Sequence, residues 1–329
     1  MAAQNNIGRK NKMPKTKVLI CGATGFIGRN VAEYLSKRED LEVYGTYFNS
    51  PRYEHEQIGL IRADLTDRLD VERVTKDKDI IIQMAANTSG AGKIKTIPHI
   101  HVTDNAVMNS LVLRAAFENE VKHFIFPSSS TVYPSSNTPL KETDRIDINS
   151  VYYGSANTKL YSEKMCKFFS RQGRTKHSVL RQSNIYGPHD KFDLERSHVF
   201  GATLTKVMKA KDGDSIKVWG TGEEKRDLLY ISDLVKLIEE VIDRQDSTFE
   251  LFNVGSGRYI SIGKLVEKII KHSGKKLKIE YDSSKPTIKT NLALDSTKAR
   301  DFFNWSPKIS LDEGIRKTMD WYKENAISD

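Results

Sequence analysis

Short apolar runs alternate with stretches of helical period through the first half of the chain. KVLIC, residues 17–21, is a run of strand type, and GRNVAEYLSKR behind it places apolar residues at helical spacing. EVYGTYF and GLIRA predict a second and a third strand. DIIIQMA predicts a fourth, apolar through its centre, as a strand covered on both faces should be. A helix expected near 101–119 leads to the strand HFIFPSS, and another near 156–172 leads to HSVLR. This βαβα alternation predicts an α/β fold, a doubly wound parallel sheet of Rossmann type with helices on both faces.

Past residue 184 the pattern loosens. NIYGPHDKFDLERSH is a polar loop rich in turn formers, with a helix expected from about 199. DSIKVWGTGEEKRDLLYISDL reads as a strand, a glycine turn and a return to the first unit, while IGKLVEKIIKH, LKIEY and LDEGIRKTMDWYKEN mix helix and strand. The organisation expected is a basic tail at 1–16 and a first unit of 17–184 plus about 229–256. A smaller mixed α/β unit of about 185–228 plus 257–329 closes a cleft with it.

Composition changes this picture little. With 38% apolar and 29% charged residues in 329, the chain is of ordinary globular type. No apolar run approaches the roughly 20 residues that span a bilayer, so no membrane partner is expected. Two distant cysteines exclude a disulfide framework and point to a reducing cytoplasm. The net charge of +9 is concentrated in GRKNKMPKTK and otherwise scattered. A solvated tail and an anionic small molecule account for it without nucleic acid.

The chemistry starts at ICGATGFIG, residues 20–28. After a strand, Gly22 can make a tight turn, Gly25 can admit a diphosphate, and Gly28 can let helix and strand pack closely. Thr24, Phe26 and Ile27 complete a loop whose helix start presents N–H groups to the anion. At the end of the second strand an acidic residue would favour NAD, but Thr46 to Arg52 contains none. Asn49, Ser50 and Arg52 could instead bind a 2′-phosphate, which favours NADP over NAD. Asp64 and Leu65 follow the third strand, where adenine would lie, and Ala85 and Ala86 end the fourth, where small residues let a coenzyme lie flat.

GATGFIG, RADL, MAA, SSSTVYP, KLYSE, RQSNIYGPHD, SHV and VWGTGEEKRD occur in an order that resembles the extended short-chain dehydrogenase/reductases, the NAD-dependent epimerase/dehydratase family. Within it, VYP, NIYGPHDKFD and SHV resemble most the GDP-L-fucose synthases, NADPH-dependent 3,5-epimerase/4-reductases of GDP-4-keto-6-deoxy sugars. The resemblance implies a serine on the sugar O4, a tyrosine that exchanges its proton, and a lysine that holds the ribose and lowers the tyrosine pKa. Those are Ser129, Tyr153 and Lys159. The tyrosine belongs four residues before the lysine, where this chain has Ser155, while Tyr153 stands six before and Tyr152 seven. Either a bulge at the helix start brings Tyr153 round, or the acid is missing.

The resemblance also implies that His198 is an acid or base of epimerisation, with Thr131 at the place of its cysteine partner. It puts Asn184, Trp219, Arg226 and Lys285 on the sugar or the diphosphate, and two copies in a homodimer. The alternatives are a redox-neutral NDP-sugar 4-epimerase with tightly held NAD and a dinucleotide-binding protein without turnover.

Overall fold

The computed structural model describes residues 14–88, 98–150, 152–194, 197–285 and 287–325. Its strands are β1 (Thr16–Cys21), β2 (Leu41–Tyr47), β3 (Ile58–Arg62), β4 (Ile80–Gln83), β5 (His123–Ser129), β6 (Lys176–Gln182), β7 (Asn184–Tyr186), β8 (Ser215–Trp219), β9 (Lys225–Arg226), β10 (Leu228–Tyr230), β11 (Phe249–Val254), β12 (Ile260–Ser261) and β13 (Lys278–Asp282). The helices are α1 (Phe26–Leu35), α2 (Arg68–Thr75), α3 (Thr103–Glu118), α4 (Tyr153–Ser170), α5 (Val199–Lys209), α6 (Ile231–Arg244), α7 (Ile262–Ser273), α8 (Thr297–Phe303) and α9 (Leu311–Asn325). The basic residues of the tail up to Lys12 lie outside the described residues.

Seven strands form one sheet in the order β11-β6-β5-β4-β1-β2-β3, every pairing parallel. Its central strands are apolar because both faces are covered: all four residues of β4 are buried, as are the first six of β5. Val18, Ile20, Val31 and Leu35 pack with Leu234 and Ile238 on the face of α1 and α6. Leu19, Ile81, Val112 and Phe124 pack with Cys166 on the face of α3 and α4. The doubly wound fold expected from the alternation is the fold observed.

Around this sheet stand three two-stranded ribbons, β7 with β10, β9 with β12 and β8 with β13. Asp227, wholly buried between β9 and β10, ties their junction to the segments after β11 and β13. Its carboxylate accepts from Ser256 N and Oγ, Gly257 N and Leu294 N. Burial pushes its pKa up against these four donors, so the bonds hold a charge that solvent no longer does.

Candidate active site

The sheet reverses its winding between β1 and β4, and open α/β sheets bind ligands in that crevice at the strands' carboxyl ends. Gly22 turns the chain there at φ +74, and a Cβ on it would lie 2.7 Å from Ala85 Cα. A Cβ on Gly28 would lie 2.3 Å from the Gly22 carbonyl oxygen. These two glycines are demanded by the chain's own packing. Gly25 is different: it is exposed at φ −82, and its Cβ would meet only the Gly22 oxygen, at 3.3 Å. A side chain there would stand over the turn, in the space a ligand needs.

Gly22 N donates to Thr46 Oγ1 at 2.9 Å and Ala23 N to the Thr46 carbonyl at 2.8 Å, which fixes the turn against β2. Phe26, Ile27 and Gly28 open α1, so their amides have no carbonyl behind them in the helix. Gly25 gives no side-chain cap and the first turn has no acidic residue. The positive end of the helix is thus left to an anion, and the cradle fits a dinucleotide's diphosphate.

At the adenosine end, Asn49, Ser50 and Arg52 are exposed, and Thr24 is half-buried. Asp64 Oδ1 accepts from Thr66 N and Oγ1, so that carboxylate is partly spent on its own turn. Leu65 is buried, Ala86 is exposed, and Ala85 is small because Gly22 lies against it.

Ser129, Thr131 and Lys159 come together at the end of β5. Ser129 Oγ accepts from Thr131 N at 3.2 Å and Thr131 Oγ1 at 3.0 Å, which leaves its own proton to donate elsewhere. Lys159 Nζ donates to the Pro127 carbonyl at 2.6 Å and sits 4.8 Å from the Phe126 ring. Burial lowers its pKa to about 8, against the opposing charge of Glu163 one turn on. Glu163 grips Arg181 with both oxygens, at 2.9 and 2.7 Å, and takes Ser128 Oγ at 2.5 Å. Arg181 in turn donates to Tyr133 OH at 2.7 Å, which donates to Asn253 at 2.9 Å. This buried network pins α4 to the ends of β5, β6 and β11, and no local spacing in the sequence announces it.

Tyr153 is not brought to this cluster. It is the first residue of α4 and 64% exposed. Six helical residues turn about 240° from Tyr153 to Lys159, so the two point about 120° apart. Tyr152, half-buried, packs with Ile146 and Leu160 on the Val132 cluster. Ser155, in helical phase with Lys159, donates to the Tyr152 carbonyl at 3.2 Å. No hydrogen bond among the described residues joins either phenol to Ser129, Thr131 or Lys159.

His198 caps α5 with extended backbone, its carbonyl accepting from Ala202 N at 3.0 Å. The residue is exposed, and the protein around it still withdraws part of its hydration. That desolvation, with the Lys191 charge beside it, pulls its pKa below the usual 6.5.

Beyond the main sheet, β8 and β13 pair with Trp219 opposite Asp282, which brings exposed Trp219 and Lys285 to one strand end. Arg226 donates to the carbonyls of Lys225, Ile288 and Thr290, which hold its guanidinium beside the segment after Lys285. Asn184 Nδ2 donates to the Asp227 carbonyl at 3.1 Å.

The fold and this site define a dinucleotide-dependent enzyme of the short-chain dehydrogenase/reductase type. Residues 18–255 match the NAD dependent epimerase/dehydratase family, and the chain belongs to that family. It is 30% identical to a putative GDP-L-fucose synthase 2 of Arabidopsis thaliana, over 94% of this chain and 93% of the relative. It is 29% identical to the GDP-L-fucose synthase of Escherichia coli, over 95% and 98%. Among solved structures, the UDP-N-acetylglucosamine 4-epimerase of Methanobrevibacter ruminantium, in complex with UDP-N-acetylmuramic acid, superposes with a TM-score of 0.82 at 27% identity, over 95% of this chain and 99% of that one. The chain is an NAD(P)-dependent nucleotide-sugar enzyme. Among the described residues no helix is long and apolar enough to cross a membrane, and no group of three or more His, Cys, Asp or Glu could hold a metal ion.

Proposed function

We propose that this enzyme uses NADPH to reduce the 4-keto group of an NDP-4-keto-6-deoxy sugar, as the names of its GDP-L-fucose synthase relatives suggest. The observation that carries the reading is the end of β2. Asn49, Ser50 and Arg52 stand exposed there, with no carboxylate from Thr46 to Arg52 to repel a 2′-phosphate. NADP(H) suits an enzyme whose coenzyme is consumed and replaced.

When bound, the dinucleotide supplies the hydride. Gly22, Thr24, Gly25 and the amides of Phe26–Gly28 hold its diphosphate, with Asp64, Leu65, Ala85 and Ala86 along its length. Ser129 donates its free proton to the sugar carbonyl oxygen as charge develops there. Lys159 keeps a positive charge at the same strand end. Tyr153 delivers the O4 proton after the first turn of α4 rotates by about a third of a revolution. Gly154, the next residue, eases that rotation. His198 exchanges a proton at a carbon beside the ketone. Thr131 is too weak an acid to match it from the other face, so at most one centre is inverted. Asn184, Trp219, Arg226 and Lys285 hold the sugar and its diphosphate.

The enzyme works as a homodimer through α3 and α4, where Val107, Tyr161 and Phe168 leave 45%, 46% and 51% of their surface exposed. It resides in the cytoplasm, where its free buried cysteines, Cys21 and Cys166, stay reduced.

A redox-neutral 4-epimerase that retains NAD is the second reading, favoured by Thr131 and by the name of the 27% identical epimerase. The test is the enzyme mixed with NADPH and GDP-, dTDP-, UDP- and CDP-4-keto-6-deoxy sugars in turn. One of them should oxidise NADPH mole for mole. Interconversion of NDP-hexoses with no net change in coenzyme would establish the second reading. Binding of coenzyme with no sugar nucleotide turned over would leave a protein without catalysis.

A further inference from the structure

The segment leaving β7 does more than connect β7 to α5. Gly187, at φ +150, lies so close to α6 that a Cβ would stand 2.4 Å from Ile231 Cγ2. At the other end, the Phe192 carbonyl accepts from Thr205 Oγ1 at 2.7 Å and its ring packs on Trp321 and Tyr322. Both anchors belong to the elements that follow β7. Between them the chain reaches three times to the coenzyme half.

The Pro188 carbonyl accepts from Asn30 Nδ2 at 2.9 Å, on α1. His189, held at φ +65, places Nε2 3.4 Å from Glu33 Oε2, one turn further along α1. Lys191 Nζ donates to the carbonyl and hydroxyl of Thr88, at 3.2 and 3.0 Å. Thr88 follows β4, three residues beyond the Ala85 on which the glycine turn rests. The contact points therefore stand on either side of the turn, α1 on one and the β4 exit on the other. A non-glycine residue at positive φ is strained, and such strain persists only where surrounding contacts impose it.

We propose that Gly187–Phe192 is a clasp across the coenzyme's diphosphate, latched by Lys191 on Thr88 and by His189 on Glu33, and that its opening sets how fast the coenzyme exchanges. This rests on the reading that a dinucleotide occupies the glycine turn. Each latch is a polar contact of one side chain, the His189 ring resting edge-on against Trp321 as well, whereas Gly187 and Phe192 are packed between elements and stay put. Glu33 stays ionised to act as a latch: burial works against its charge, but His189 and Arg29 outweigh that and take its pKa down to about 2. Exchange is a step that a reductase completes in every turnover and a redox-neutral epimerase does not need.

The test is the release rate of NADPH from the full-length enzyme, followed by stopped-flow fluorescence with excess NADP as trap. Lys191→Met and Glu33→Gln each remove one latch, and their melting temperatures report whether they fold. Release should quicken about tenfold or more in Lys191→Met and severalfold in Glu33→Gln, with association changed far less. Two folded variants that release NADPH within twofold of wild type would overturn the clasp while leaving the coenzyme reading intact. A wild type that binds neither NADPH nor NADH would remove that reading, and the clasp with it.

Discussion

The glycine turn after β1 and the first turn of α4 sit two strands apart on the same sheet and answer to different constraints. At the turn, Gly22 and Gly28 face backbone atoms at 2.7 and 2.3 Å from where a Cβ would be, so the chain's own sterics fix them. At α4, Tyr153 is 64% exposed and Ser155 holds the place four residues before Lys159. Helical phase alone decides which of these side chains meets the lysine. Features forced by backbone contact stay fixed, while those set by phase move to another face when one or two residues intervene.

The largest expected effect breaks the phased side at its fixed member. Lys159→Met should lower kcat by about 10²- to 10⁴-fold, the range of a group engaged in proton transfer, with NADPH affinity shifted far less. A loss under tenfold would remove Lys159 from the chemistry.

Next comes the choice between phenols. Tyr153→Phe should cost about 10²-fold or more in kcat and leave the melting temperature unchanged, since the ring is mostly in solvent. If Tyr152→Phe takes that loss instead, the helix works in the phase observed and the Tyr153 assignment falls.

A smaller effect is read from pH. The folded-state pKa of Lys159 lies near 8, so its charge is present below that pH and lost above it. The rate should decline as pH rises through about 8, and Lys159→Arg should carry that limb beyond the measurable range. A profile flat to pH 9.5 would contradict it.

The smallest concerns stability on the side away from the site. His123 and His177 are buried neutral, with burial first and then neighbouring charges taking His123 to about 3, and burial taking His177 to about 4. Above pH 6.5 neither contributes a pH dependence. As pH falls below that, the unfolded chain takes up protons the folded chain refuses. Stability should therefore fall by up to about 1.4 kcal/mol per pH unit per histidine until the pH nears their folded values. Urea unfolding between pH 7 and 5 measures the slope, and His123→Gln should make it shallower by one histidine's share.

Much of the first region was legible beforehand. The strand-turn-helix junction, the turn at Gly22, the close packing at Gly28 and the parallel sheet follow from apolar periodicity and steric need. Tyr153 shows where that legibility ended: spacing revealed the mismatch with Lys159, but only the helix start settles which way each phenol points. The Arg181–Glu163–Ser128 network and the Lys191–Thr88 latch were not readable at all. Their partners lie 18, 35 and 103 residues apart, with nothing local to pair them. Asp64 and Ala85 were assigned to the coenzyme from position alone; Ala85 lies against the glycine turn, and Asp64 bonds to Thr66 in its own turn.

Gly25→Val examines the central claim most directly, because a side chain there would stand over the turn while meeting only the Gly22 carbonyl oxygen of the fold. NADPH titrated calorimetrically should bind the wild type at one site per chain. The variant should melt within a few degrees of wild type and bind NADPH at least a hundredfold more weakly. A variant that binds NADPH as tightly as wild type would mean that the dinucleotide does not lie on this turn.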